Sequence, residues 1–133
     1  MDYEAIAEAI VASALRVHTK LGPGLLESAY EACLAYELKK RALSVVLQVP
    51  LAVKYDDMVL DIGYRVDMLV AGGVVVEVKA VDKLLPVHAA QLLTYLRLGE
   101  FHLGFLLNFN AAHLRDGIKR VINGYRPEDM HGG

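Results

Sequence analysis

Gly63-Tyr64-Arg65-Val66-Asp67-Met68-Leu69-Val70, then Ala71-Gly72-Gly73, then Val74-Val75-Val76-Glu77-Val78-Lys79 reads as two strands folded back on each other around a three-residue turn. With the turn at 71–73, Val70 faces Val74, Asp67 faces Glu77 and Arg65 faces Lys79. Alternation then sorts the hairpin into two faces. Tyr64, Val66, Met68, Val70, Val74, Val76, Val78 and Ala80 make an apolar face. Arg65, Asp67, Leu69, Val75, Glu77 and Lys79 make the other, apolar near the turn and charged farther along. Like charges directly across a ladder lie about 4.5–5.5 Å apart at Cβ and destabilise a sheet. A divalent cation between Asp67 and Glu77 resolves that conflict. A hard ion such as Mg2+ takes one or two carboxylates and fills its shell with water and phosphate oxygens. The carbonyl of Val78 can add a ligand, and Lys79 points to the same side as Glu77. The competing reading is an ordinary solvated sheet face, on which ion pairs contribute about 0–1 kcal/mol.

The rest of the chain is consistent with one α/β unit. Its 133 residues suffice for one core, and 55% are hydrophobic. No apolar run approaches the roughly 20 residues of a membrane span. The start, Met1-Asp2-Tyr3-Glu4, has no basic leader region, so a cytoplasmic location is expected. Cys33 is the single cysteine, which rules out an internal disulfide and a multi-cysteine zinc site. His18, His88, His102, His113 and His131 show no zinc spacing. The net charge of -2 and a pI of about 6.2 leave no broad basic footprint for nucleic acid. A metal and a few local cations are then the remaining means of meeting a phosphate.

Helical spacing predicts a first helix over 3–20, ended by Leu21-Gly22-Pro23-Gly24, and a second over about 25–42. Residues 44–53 read as a strand with Pro50 at an edge or bulge, and 54–57 as a turn. The two hairpin strands follow, over about 59–70 and 74–80. A third helix is expected over about 87–98, a buried strand over 101–109, and an edge strand or short helix over 114–122. The domain is expected to span 1–125, with 126–133 a loose tail. The order describes a mixed sheet flanked by helices. Glu27 lies in the first turn of the second helix, with Tyr30 and Glu31 on the same face. On the third helix His88, Gln91 and Tyr95 share a face.

Taken together, Asp67 followed by Glu77-Val78-Lys79 resembles the D…(D/E)xK signature of the PD-(D/E)XK nuclease superfamily. Glu27 ahead of it and Gln91-x-x-x-Tyr95 behind it resemble the accessory motifs of the RecB-like branch. Gly24-x-x-Glu27-x-x-Tyr30 resembles the motif that gives the GxxExxY protein family its name. The position before Asp67 is Val66 where the superfamily name has proline. The resemblance implies a restriction-endonuclease-like α-β-β-β-α-β core with an extra N-terminal helix. It implies Mg2+ or Mn2+ held by Asp67 and Glu77, with Glu27 adding to the metal site. It further implies Lys79 assisting the hydrolytic water, and Gln91, Tyr95 and Tyr30 in support. Arg65 is a candidate phosphate contact. The expected activity is phosphodiester hydrolysis of nucleic acid, DNA rather than RNA. The alternative is a catalytically silent nuclease-like fold that binds or regulates. A homodimer, through the 45–53 edge or the last element, is one way to build a substrate groove.

Overall fold

The computed structural model describes residues 1–124. The expected tail at 126–133 lies outside the described residues. Two helices lead, α1 (Tyr3–Leu21) and α2 (Glu27–Lys40). Asp2 caps α1 by accepting the Ala5 N–H at 3.1 Å. Two long strands follow, β1 (Val45–Tyr55) and β2 (Met58–Val70), and then β3 (Val74–Lys79). Next come α3 (Pro86–Gly99), β4 (Leu103–Asn108), a 3-10 turn (Leu114–Gly117) and β5 (Ile118–Ile122). The five strands form one sheet in the order β1-β2-β3-β4-β5. Every neighbouring pair is antiparallel except β3 and β4, which run parallel across the α3 crossover. From α2 to β4 this is the α-β-β-β-α-β order, with α1 as the additional helix. No helix among the described residues is long and apolar enough to cross a membrane.

The sheet has two unequal cores. Ile6, Ile10, Ala14 and Val17 of α1 and Tyr30, Leu34 and Leu38 of α2 pack on one face, against Met68, Val70, Val74, Val76, Val78, Leu103, Phe105 and Leu107. On the other face Leu92 and Leu96 of α3 meet Leu51, Val66, Val75, Leu106 and Val121. β3 and β4 are therefore buried on both sides, which explains their near-continuous apolar runs. Gly104 sets how closely α3 approaches: a Cβ there would come within 3.1–3.2 Å of Leu92 and Leu96.

Three expectations change. The turn between β1 and β2 is Asp56-Asp57 alone, with Asp56 at φ 52°, because Lys54 and Tyr55 still pair with Val59 and Met58. The final element is both things: a 3-10 turn and then a strand antiparallel to β4. Gly117 stands at the junction, where a Cβ would lie 2.6 Å from the Asn108 carbonyl. The third change concerns the hairpin faces. Val66 belongs to the α3 core, while Met68 and Val70 belong to the α1/α2 core. Strict alternation would put all three on one side. The break falls at Asp67. In the β1–β2 register Leu47 pairs with Met68 and Val49 with Val66, and the intervening residues Gln48 and Asp67 do not pair. Gln48 adopts φ 54°, a left-handed conformation that costs a non-glycine residue about 1–2 kcal/mol.

Candidate active site

The β2–β3 ladder is closed only near its turn, by Val70↔Val74, Leu69↔Val75 and Met68↔Val76. Beyond Met68 the carboxylates replace it. The Asp67 N–H donates to Glu77 Oε1 at 3.2 Å, and the Val78 N–H donates to Asp67 Oδ2 at 2.8 Å. Each side chain thus satisfies a backbone donor of the opposite strand, which a buried strand end requires. Each keeps a second oxygen. Glu77 is only 5% exposed. Burial, and after it the charge of Asp67, pushes its carboxyl up to about 8, and Lys79 opposes the shift. Two carboxylates sharing a site in this way resist joint ionisation unless a cation joins them.

The expected pairing of Arg65 with Lys79 does not form. Arg65 pairs with Pro50 of β1, and its guanidinium donates to the Gln48 carbonyl at 3.4 Å. The ladder to β3 has already ended, so nothing carries Arg65 across. Lys79 closes β3 in parallel register with Asn108, and its ammonium makes no salt bridge among the described residues.

Glu27 reaches the site from α2. Its Oε1 accepts the Ala80 N–H at 3.2 Å, just past Lys79. The placement follows from the local sequence. Gly24 takes φ 103°, open only to glycine at low cost, and turns the chain into the helix. Tyr30, fully buried, donates its hydroxyl to the Gly22 carbonyl at 2.6 Å and accepts the Leu25 N–H at 3.0 Å. Its ring stacks on Phe109, centroids 4.6 Å apart. Tyr30 therefore supports the loop before Glu27 from beneath rather than facing the carboxylates.

On the other side of the sheet, Gln91 Nε2 donates to the Tyr95 hydroxyl at 3.0 Å. Burial first, and then the charge of Glu77, holds the Tyr95 hydroxyl above its usual range. Gln91 and Tyr95 thus sit where Glu77 is felt. His88 does not join them: its Nδ1 accepts the Leu85 N–H at 2.9 Å and caps α3.

Two residues were not singled out for the site from sequence. Glu31, one turn beyond Glu27, is held by Gln48 Nε2 at 3.1 and 3.4 Å. Burial pushes its carboxyl up, Gln48 draws it partly back, and the charges of Asp67 and Glu27 add to the rise. Its i+4 spacing from Glu27 was the available signal. Asn108, 2% exposed, was the other. Its side chain bonds the Val81 N–H at 3.0 Å and the Val81 carbonyl at 2.9 Å, latching the segment after Lys79 to the end of β4. No spacing rule points to it, because the contact crosses strands.

Among the described residues no group of three or more His, Cys, Asp or Glu is gathered tightly enough to cage a metal ion. Glu27, expected to add to the metal site, spends one oxygen, Oε1, on the Ala80 N–H and keeps Oε2. The donor set that does meet is two carboxylates, Asp67 and Glu77. That suits an oxygen-seeking ion that keeps most of its waters and excludes a closed nitrogen–sulfur site.

A family model described as the PD-(D/E)XK nuclease superfamily matches residues 4–121. Comparison with curated proteins and with solved structures gave no significant match. The match takes in all three helices and nearly all of the sheet, including Asp67, the Glu77-x-Lys79 strand end and both flanking helices. This chain belongs to the PD-(D/E)XK nuclease superfamily.

Proposed function

We propose that this chain hydrolyses phosphodiester bonds of nucleic acid, DNA in preference to RNA, with Mg2+ or Mn2+, using residues 1–125 as its working unit. The observation that carries the reading is the meeting of Asp67 and Glu77 at the opened end of β2 and β3, with Glu77 pushed up to about 8. Asp67 and Glu77 would hold the ion, with the Val78 carbonyl as a further oxygen. A bound divalent ion acidifies water and stabilises charge developing on phosphorus. Lys79 orients the attacking water and balances negative charge as the oxygen–phosphorus bond forms and the leaving oxygen departs. Glu27 would add to the metal site with its second oxygen, while Oε1 fixes the exit of β3 through Ala80 and so the direction of Lys79. Gln91 and Tyr95 supply polar atoms on the α3 side.

Purified protein with Mg2+ or Mn2+ should nick or degrade a labelled DNA. Lys79→Ala and Glu77→Ala should each abolish cutting while circular dichroism shows an intact fold. Cutting that survives Glu77→Ala would overturn the assignment.

A second reading, a silent nuclease-like fold that binds or regulates, draws on the net charge of -2 and on the lack of a ready three-ligand cage among the described residues. Calorimetric titration with Mn2+ separates the two. Heat of binding that disappears in Asp67→Asn supports the enzyme, and silence at millimolar metal supports the module.

A further inference from the structure

β1 and β2 continue well past the body of the sheet. Tyr55, Met58, Val59 and Ile62 are 50–66% exposed along this arm. Where the arm leaves the body, Tyr64 is 42% exposed. Its ring centroid lies 6.0 Å from that of Tyr95, with the planes at 50°. Val53, Tyr64, Gln91, Thr94, Tyr95 and Leu98 enclose an open groove of about 300 Å3. Val53, Leu98 and the two rings give it an apolar lining, and Gln91, Thr94 and the Tyr95 hydroxyl bring polar atoms from α3. Gln91 Nε2 donates to the Tyr95 hydroxyl and Thr94 Oγ1 donates to the Ala90 carbonyl, which leaves the Gln91 amide oxygen as an acceptor for an occupant. Tyr95, on its wall, lies within electrostatic reach of Glu77 and, more weakly, of Asp67.

Charge decides what such a groove can take. The arm from Lys54 to Asp61 carries Asp56, Asp57 and Asp61 against one lysine. A duplex backbone laid along it would be repelled. Base–aromatic stacking needs no net charge, and each base contributes about 1–3 kcal/mol. A base inside a duplex has both faces covered by its neighbours, so only an unpaired base can use an aromatic platform.

We propose that the Tyr64–Tyr95 groove holds one unpaired nucleobase of the substrate, stacked on Tyr64 with its edge toward Gln91, and that the substrate is single-stranded or frayed nucleic acid. The proposal rests on the nuclease reading for the identity of the strand, and Tyr64 is its specificity-determining residue.

The test uses the full chain carrying Lys79→Ala, which binds without cutting, and a single-stranded oligonucleotide containing 2-aminopurine. Anisotropy reports affinity, and quenching of the fluorescent base reports stacking. Tyr64→Ala should weaken binding of the single strand about 5- to 100-fold and abolish quenching. Tyr64→Phe should preserve both, and the same oligonucleotide in a duplex should bind more weakly and ignore the substitution. Thermal melting of each variant controls for folding, with Tyr64→Trp as a second stacking variant. An affinity unchanged by Tyr64→Ala overturns the proposal. So does a duplex bound as tightly as the single strand, or no binding of either form. A dimer in sedimentation that Tyr64→Ala dissolves also overturns it, because the occupant is then a second copy. Quenching by the native chain without any cutting supports the subsite and sinks only the enzyme reading.

Discussion

Near its turn the β2–β3 pair is an ordinary buried ladder of Val70, Leu69 and Met68 on Val74, Val75 and Val76, while one residue farther on Asp67 and Glu77 take the place of the ladder. The apolar end is held by packing, with Val70, Met68, Val74, Val75 and Val76 fully buried. The charged end is held by side-chain oxygens on backbone donors, and it carries an electrostatic conflict that raises Glu77 to about 8. The two ends are covalently continuous and lie between the same two strands, β1 and β4. Their difference shows that one short hairpin can give stability at one end and hold an electrostatically destabilised carboxylate pair at the other.

The two ends should respond oppositely to substitution. The largest effect is expected at the charged end and on activity. Lys79→Ala should lower kcat for DNA cleavage by at least about 10²–10³-fold, the scale for removing one group that stabilises transition-state charge, and so take cutting below detection. The midpoint of urea unfolding should stay nearly where it was. At the apolar end Met68→Ala should do the reverse. Truncating this fully buried side chain should cost about 2–5 kcal/mol in urea unfolding. Residual activity should then follow the folded fraction. Equal losses of stability from both substitutions would erase the distinction.

A smaller effect is expected where the two regimes are joined. Tyr30→Phe keeps the stack on Phe109 but leaves the Gly22 carbonyl and the Leu25 N–H without their partner. It should cost about 1–3 kcal/mol of stability and loosen the approach of Glu27. Hydrogen exchange at Ala80, whose N–H donates to Glu27, should speed up.

A further expected effect is a pH slope. Glu77 binds its proton more tightly in the folded chain, at about 8, than in the unfolded chain, near the ordinary carboxyl value of 4.5. Between those values the folded state carries more protons, so metal-free stability falls as pH rises through about 4.5 to 8. Thermal melting in chelator should therefore give a higher Tm at pH 5 than at pH 8. Mg2+ should restore Tm more at pH 8, where its binding displaces less proton. Glu77→Gln should flatten the slope. A Tm that rises from pH 5 to pH 8 without metal would contradict the buried-pair account.

Much of the fold could be read along the chain because its elements have different periods. Ile6, Ile10, Ala14 and Val17 mark α1 at helical spacing, and Val74-Val75-Val76 with Leu106-Leu107 mark strands buried on both faces. The turn at 71–73 set the register, and Val70 does pair with Val74. Alternation failed at Asp67 because Gln48, a residue of another strand, takes a left-handed conformation opposite it. Asp67, Glu77 and Lys79 could be named as candidates because their spacing lies within one hairpin. Asn108 could not, and Glu31 showed only its spacing from Glu27, because their contacts are to Val81 and Gln48, which approach only when the strands and helices pack.

Sequence by itself determined which residues pair near the turn, where α1 and α2 begin and end to within a few positions, and that Asp67 and Glu77 come together. These are local consequences of side-chain period, turn chemistry and glycine at positive φ. Tertiary structure alone decided that the ladder opens at Asp67, that Tyr30 braces Glu27 from below, that Arg65 stays with β1, and that Tyr64 and Tyr95 border one groove. Each depends on which element packs where, and burial sets the charge state of a carboxylate such as Glu77 only after the sheet has enclosed it.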